Sequence, residues 1–580
     1  MSRKFILSVA AVIGILTTLM VPVTASAAPP VIIEVPEDYP TIQEAIDAAN
    51  SGDTIIVHAG IYEEGVFIPP GKDGITLSGE SGTIMDGDDE FTKPTAIAIG
   101  ASGVTVEGFT IYNYRKVIPP NGLPFWRYGT GINSGPGSNG NIIQNNKIEK
   151  CIDGISVGGS NHQILGNDVK GCSWHGINVW PMTPGCQILE NTLIECHIGI
   201  SVSGINSLIE GNDVTGASMH GIGTYSPANG NAIQFNEITD SSTGIGVGGN
   251  NTQVLDNTIA GSSECGIGVF NGVTGSTIAG NHVADSGHNG IILLDTHSNQ
   301  VYQNDVSNSG YNGIDLTMGS TMNSVCENQV TNSGIDPGSG GNGIILQQSS
   351  NDNTVMANII LISSFNGIAV QDGSSGNTIT GNHITESGSK GGSGIMIMNA
   401  HNNTVDENTV MLSHCGIRIN GTNNDIHGNH LNNNEMIFHL PLPGGGTIPL
   451  VGPGIGIDVG ASNNKIHGNH ISSSGGTGIM LHGDNNKLTG NKVTESGFDG
   501  VVMFPTATDN IIQANKINGN TKHGIVALGE KSPPFPFPGP GSSGNIIKSN
   551  TVLDNGGLDL FADELEDNTW KNNKYETSNF

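Results

Sequence analysis

Residues 166–180 read GNDVKGCSWHGINVW, residues 211–225 read GNDVTGASMHGIGTY, and residues 256–270 read DNTIAGSSECGIGVF. Each copy carries an Asn-x-apolar triplet, then a Gly-Ile, and ends on an aromatic residue. The triplet recurs at Asn146, Asn167, Asn191, Asn212, Asn236 and Asn257, spaced by 21, 24, 21, 24 and 21 residues, and continues to Asn550. The 45-residue echo is therefore two repeats. A period in the low twenties restricts the chain to a solenoid, because one such unit cannot bury its apolar face without neighbours on both sides.

A second signature, Gly-Ile-x-apolar, falls between the triplets, as in DGISV, HGINV, NGIDL and CGIRI. Leucine-rich repeats share this period but need a Leu framework, which is missing. Glycine makes up 86 of 580 residues, and charged residues only 13%. Gly and Asn tolerate positive φ at corners, while Ile, Val and Thr suit pleated surfaces. These features predict an all-β, single-stranded parallel β-helix of about 18 or more coils, rising one strand spacing of about 4.8 Å per coil. Stacked Asn side chains would satisfy the polar groups that each corner buries.

The ends need covers, since only there does a solenoid expose a sheet edge. In TIQEAIDAANSGDTI (41–55), Ile42, Ala45, Ile46 and Ala49 fall at helical spacing, predicting an amphipathic helix cap. At the other end Trp570 and Tyr575 are expected to close the last coil. Arg3 and Lys4 precede an apolar run ending near Val21, and Ala25-Ser26-Ala27 forms a small-residue cleavage site. The expected organisation is a secretory signal at 1–27, an N-terminal cap with first coils at 28–90, repeats at 91–560 and a C-terminal cap at 561–580. No membrane anchor is expected after cleavage, so the mature chain would be secreted, periplasmic or at the cell surface. A monomer is expected.

The net charge of −31 argues against nucleic acid as a partner, which would call for basic clusters. Seven cysteines is an odd number, so at least one thiol is unpaired in a monomer. Cys151, Cys172 and Cys196 hold matching places in successive repeats. The sequence offers no metal-ligand spacing and implies no cofactor, although the acidic surface is compatible with calcium.

VPEDYPTIQEAIDAANSGDTIIVHAGIYEE (35–64), followed by ITLSGESGTIMDGDD, resembles the N-terminal cap of the pectin-lyase-like right-handed β-helix superfamily. The later coils are similar to its carbohydrate-binding and sugar-hydrolysis repeat branch, which includes pectate-lyase-like proteins and a periplasmic protein of copper maturation. The resemblance implies polysaccharide-directed chemistry. The sequence departs from several enzyme patterns of the superfamily, having no Asp-Pro-His, no Asn-Thr-Asp and no Arg-x-Pro-x-x-Arg.

Strand alternation sends the two x positions of Gly-Ile-x-apolar-x outward. The second outward column is expected to include Trp180, Tyr225 and Phe270 on alternate coils, about 9.6 Å apart, near the repeat of an extended disaccharide. Such rings suit sugar faces, although a small outer aromatic cluster is equally consistent. His175 and His220 stand in a polar column that a turn ladder also explains. Insertions at 113–131, 331–343 and 432–454 are expected to wall the face. The first brings Arg115, Lys116, Trp126, Arg127 and Tyr128 together as a candidate patch for an anionic sugar, or as a lid.

Elimination at a uronide needs a cation for the carboxylate, a base for the C5 proton and an acid for the leaving oxygen. Asp315, Asp372, Arg418, Asp458 and His482 are the candidates, with a plain Arg418–Asp458 surface pair as the alternative. The function expected is that of an exported protein acting on an extracellular, uronic-acid-type polysaccharide as a lyase or epimerase. A non-catalytic glycan-binding or envelope protein, or an assembly factor for a secreted metalloenzyme, remain alternatives.

Overall fold

The computed structural model describes residues 29–87, 95–115, 129–336, 338, 340–441, 447–529, 541–563 and 568–580. The chain winds as an all-β, right-handed parallel solenoid of about 20 turns. Each turn contributes one strand to each of three long parallel sheets, of 20, 22 and 20 strands. One turn illustrates the rest: His175–Val179 lies in the Gly-Ile sheet, Gln187–Leu189 in the second sheet, and Thr192–Ile194 in the third. In the short strands only the central residue points inward, so Ile188 and Leu193 are buried while their neighbours face out. This alternation accounts for a single apolar core running along the axis.

The Asn of each triplet sits inside the corner between the second and third sheets. Asn167, which is 1% exposed, donates through Nδ2 to the Ile143 carbonyl and to Asn191 Oδ1. Asn191 Oδ1 also accepts the Asn167 backbone N–H at 2.9 Å. The same contacts repeat at Asn191, Asn212, Asn236 and Asn257, so the side chain that makes one corner satisfies the next. The residue just before each of these Asn takes a left-handed conformation, as at Gly166 (φ 57) and Glu190 (φ 55). A second Asn ladder, from Asn299 to Asn545, lines the corner between the Gly-Ile sheet and the second sheet.

The inner column at the third corner begins with Cys151, Cys172 and Cys196 and continues with Ala217, Ser241 and Ser262. All seven cysteines are free, and burial pushes the Cys151 thiol up to about 12. The side chains of this column lie against glycines of the Gly-Ile sheet, as Cys196 Sγ does against Gly176.

The helix Ile42–Ala48 opens on Thr41, whose side chain accepts the Glu44 N–H, and it buries Ile42, Ala45 and Ile46. Those residues pack on Ile32–Val35, Thr54–Val57 and Val66–Ile68. At the other end Trp570 is partly buried against the core with Phe580 5.0 Å away. Tyr575 is 42% exposed and so does not close the last turn with Trp570 as expected. The 432–454 insertion contains the antiparallel hairpin Ile437–Pro441 and Thr447–Val451, which among the described residues is the one departure from parallel pairing. No described helix is long and apolar enough to cross a membrane, and the expected signal at 1–27 lies outside the described residues.

Candidate functional site

Backbone pairing places Trp180, Ser203, Tyr225, Gly248 and Phe270 on successive turns of the Gly-Ile sheet. All three aromatic side chains are half-buried, and each lies back against a glycine. The Trp180 ring covers Gly158 of the preceding turn, and its Nε1 donates to Ser156 Oγ at 2.6 Å. Tyr225 folds over Gly223, with its hydroxyl 2.6 Å from His220 Nδ1. Phe270 folds over Gly268, where a Cβ would stand only 2.0 Å from Cζ. The absence of a Cβ at Gly158, Gly223 and Gly268 is thus what lets the rings lie on the sheet. Burial raises the Tyr225 phenol to about 12 and lowers His220. His220 therefore serves to orient Tyr225, while His175 is held by Asp153 through a 2.9 Å contact.

Farther along, the same column runs Met398, Asn420, Asp458, His482 and Phe504. Read in the frame Gly456-Ile457-Asp458, the sequence predicts Asp458 in the first outward column beside Arg418, and the structure differs. In GIGIDVG the inward residues are Ile455 and Ile457, so Gly456 stands beside Arg418 and Asp458 stands in the second column beside His482. The frame beginning at Gly456 was equally consistent with the sequence, and packing chose the one beginning at Gly454. With no side chain at Gly456, Arg418 bends across it, and its Nε donates to Asp458 Oδ2 at 2.8 Å.

Arg418, Asp458 and His482, together with Met480, His414 and Pro453, line a concavity of about 230 Å³ beside the hairpin insertion. Arg418 is 51% exposed, so its remaining N–H groups face solvent. His482 stacks on Phe504 with ring centres 3.9 Å apart. Burial lowers the His482 pKa, Asp458 opposes the shift and Arg418 adds to it, so the ring is neutral near pH 7. His414 is lowered by burial as well, and its Nδ1 lies 2.9 Å from the Met436 carbonyl. His414 escaped notice in the sequence; its position just before the Cys415–Asn420 strand and beside the insertion was the available signal.

The other two candidate acids are not part of this cluster. Asp315 lies four strands earlier and is only 4% exposed. Its carboxylate accepts from Asn312 and Gln347 side chains, and burial lifts its pKa to about 6. Asp372 is exposed, two strands before Arg418, in a left-handed turn (φ 54). Arg115 contacts Asn113 Oδ1 at 3.1 Å; Lys116, Trp126, Arg127 and Tyr128 fall outside the described residues. Among the described residues, the donor atoms that converge closely enough to hold a metal ion belong to Asp425, His427 and His467, on the second sheet.

The model of the right-handed β-helix region matches residues 175–333, 324–484 and 450–579, which together span 175–579. The chain belongs to the right-handed β-helix family. The model of the periplasmic copper-binding protein NosD also matches, over residues 46–248. No curated protein sequence matches the chain. Similar solved structures include the A-module of the mannuronan C-5 epimerase AlgE6 from Azotobacter vinelandii, at 16% identity and TM-score 0.32, over 67% of this chain and 93% of that one. The catalytic unit of an α-1,3-glucanase from Streptomyces thermodiastaticus is 13% identical with TM-score 0.37, over 63% and 64%. The DFA-IIIase of Arthrobacter chlorophenolicus A6 is 14% identical with TM-score 0.35, over 60% and 94%. At these identities and scores they carry no weight for function, which must come from the site.

Proposed function

We propose that this β-helix protein is exported and binds an extended acidic polysaccharide along the outer face of its Gly-Ile sheet. There it acts on a uronide, as a lyase or epimerase, at Arg418 and His482. The observation that carries the proposal is the shared column: three flat aromatic rings at one end, and a neutral His beside an Arg–Asp pair at the other. Rings on alternate turns repeat every 9.6 Å or so, close to a disaccharide. Arg418 would neutralise the uronate carboxylate and acidify C5–H, and His482 would take the proton. In elimination the C4–O bond breaks as C4=C5 forms, and the His482 imidazolium gives its proton to the leaving oxygen. In epimerisation water returns a proton to C5 from the opposite face. Asp458 would hold the guanidinium in place. The helix at Ile42–Ala48 is read as the cover of the first turn, since its buried face would otherwise leave that core open. Export is supported by the charged, apolar and small-residue order of residues 1–27.

The rings alone support a second proposal, a glycan-binding protein without turnover. A panel of acidic polysaccharides, followed by absorbance of unsaturated uronides and by proton exchange at C5, separates the two. Turnover that falls at least 100-fold in Arg418→Ala and His482→Ala is expected. Binding without turnover, lost in Trp180→Ala, would instead establish the second proposal.

A further inference from the structure

The 425–430 and 465–470 stretches read DIHGNH and KIHGNH, and the backbone stacks them on adjacent turns. Ile426 and Ile466 are fully buried and fix the two strands against the core. Alternation then sends Asp425, His427 and His467 to the outer face of the second sheet. His427 and His467 are direct partners in the register, their rings stacked at 4.9 Å and 23°. Asp425 lies two residues before His427 on the same strand, and its Oδ1 is 2.9 Å from His467 Nε2. Each residue can offer a ligand atom within 4.8 Å of the other two. Lys465 is the register partner of Asp425, yet it is His467 that pairs with the carboxylate.

We infer that Asp425, His427 and His467 form a surface site for a late first-row divalent ion such as Zn²⁺ or Cu²⁺. Two imidazoles and one carboxylate are the donor set such ions favour over calcium or magnesium, which prefer oxygen alone. Metal–ligand bonds of about 2.0–2.2 Å would draw the three donors inward by side-chain rotation, with no change in the strands that carry them. The ion replaces the His467–Asp425 contact and keeps open positions for water or an incoming ligand. Asp406, which faces His427 on the preceding turn, adds negative charge beside it. The two turns involved are those that carry Arg418 and Asp458, one sheet away. The site does not depend on the proposed glycan chemistry.

The adjoining third sheet supplies a built-in control. His430 and His470 form another facing pair on the same two turns, with ring centres 5.8 Å apart and no carboxylate in the group. The full chain, stripped with chelator, would be dialysed against micromolar Zn²⁺ and its metal content counted. A parallel sample loaded with Cu²⁺ would be examined by electron paramagnetic resonance. The expected result is one bound equivalent and nitrogen coupling from two imidazoles. Affinity is expected to fall at least tenfold in His427→Ala, His467→Ala and Asp425→Asn, and to stay unchanged in His430→Ala and His470→Ala. All five positions are at least partly exposed, so circular dichroism should report intact folds. The inference is overturned if no equivalent binds, if the three variants bind as the parent does, or if the His430 and His470 variants are the ones that lose it.

Discussion

At the scale of single residues, the ladder of buried asparagines is what makes a 21–24-residue turn stack. Asn257 Oδ1 accepts the Asn236 backbone N–H at 3.0 Å, and its Nδ2 reaches the Ile233 carbonyl. Asn257→Ala leaves that amide buried and unpaired, and is expected to cost about 2–3 kcal/mol in denaturant unfolding. Amide exchange should quicken locally at Asn236. Asp315 makes the opposite kind of demand. Its folded-state pKa of about 6 lies above the ordinary 3.8, so it favours the folded protein most at acid pH. That contribution fades as pH rises through 6 and amounts to about 3 kcal/mol across the interval. Asp315→Asn should abolish this step: the parent loses stability relative to the variant between pH 4.5 and 7.5, as read from urea midpoints at both values. The inward and corner residues were legible in the sequence because each repeats in every turn. Asp315 was legible as an outward residue but not as a buried one, since its cover, Gln347, lies 32 residues away on the next turn.

At the scale of the strand, the outer column could be read wherever the repeat stayed regular. Trp180, Tyr225 and Phe270 fall where alternation puts them, and the glycines beneath them decide how they lie. Gly268→Ala should force Phe270 off the sheet, since the new Cβ would overlap the ring. Glycan affinity is expected to drop several-fold in that variant, while stability changes by about 1 kcal/mol or less, the ordinary range for a site away from the core. Legibility failed at the 432–454 insertion. GIGIDVG permits two frames, and the wrong one moves Asp458 from the second outward column to the first. The same insertion separates His427 from His467 by 40 residues, which hides their pairing from any search by period. The repeated IHGNH was the signal that could have found it.

At the scale of the whole molecule, a solenoid offers length that a compact domain cannot. From Trp180 to His482 the second column crosses 12 turns, about 58 Å at one strand spacing per turn. The β-helix follows from the period and is independent of any site, which is why the solenoid was legible wherever the repeat stayed regular while the chemistry was legible only in pieces. A ligand lying along the column must be long to use both ends. The most direct test is binding and turnover of acidic oligosaccharides of increasing length, measured on the parent and on Trp180→Ala. Affinity and turnover are predicted to climb until the chain reaches about twelve sugars, the number that spans 12 turns at one spacing each. Trp180→Ala should weaken the long chains and spare the short ones. If tetrasaccharides bind and react as well as the polymer, or if no length binds at all, the polysaccharide does not lie along this sheet.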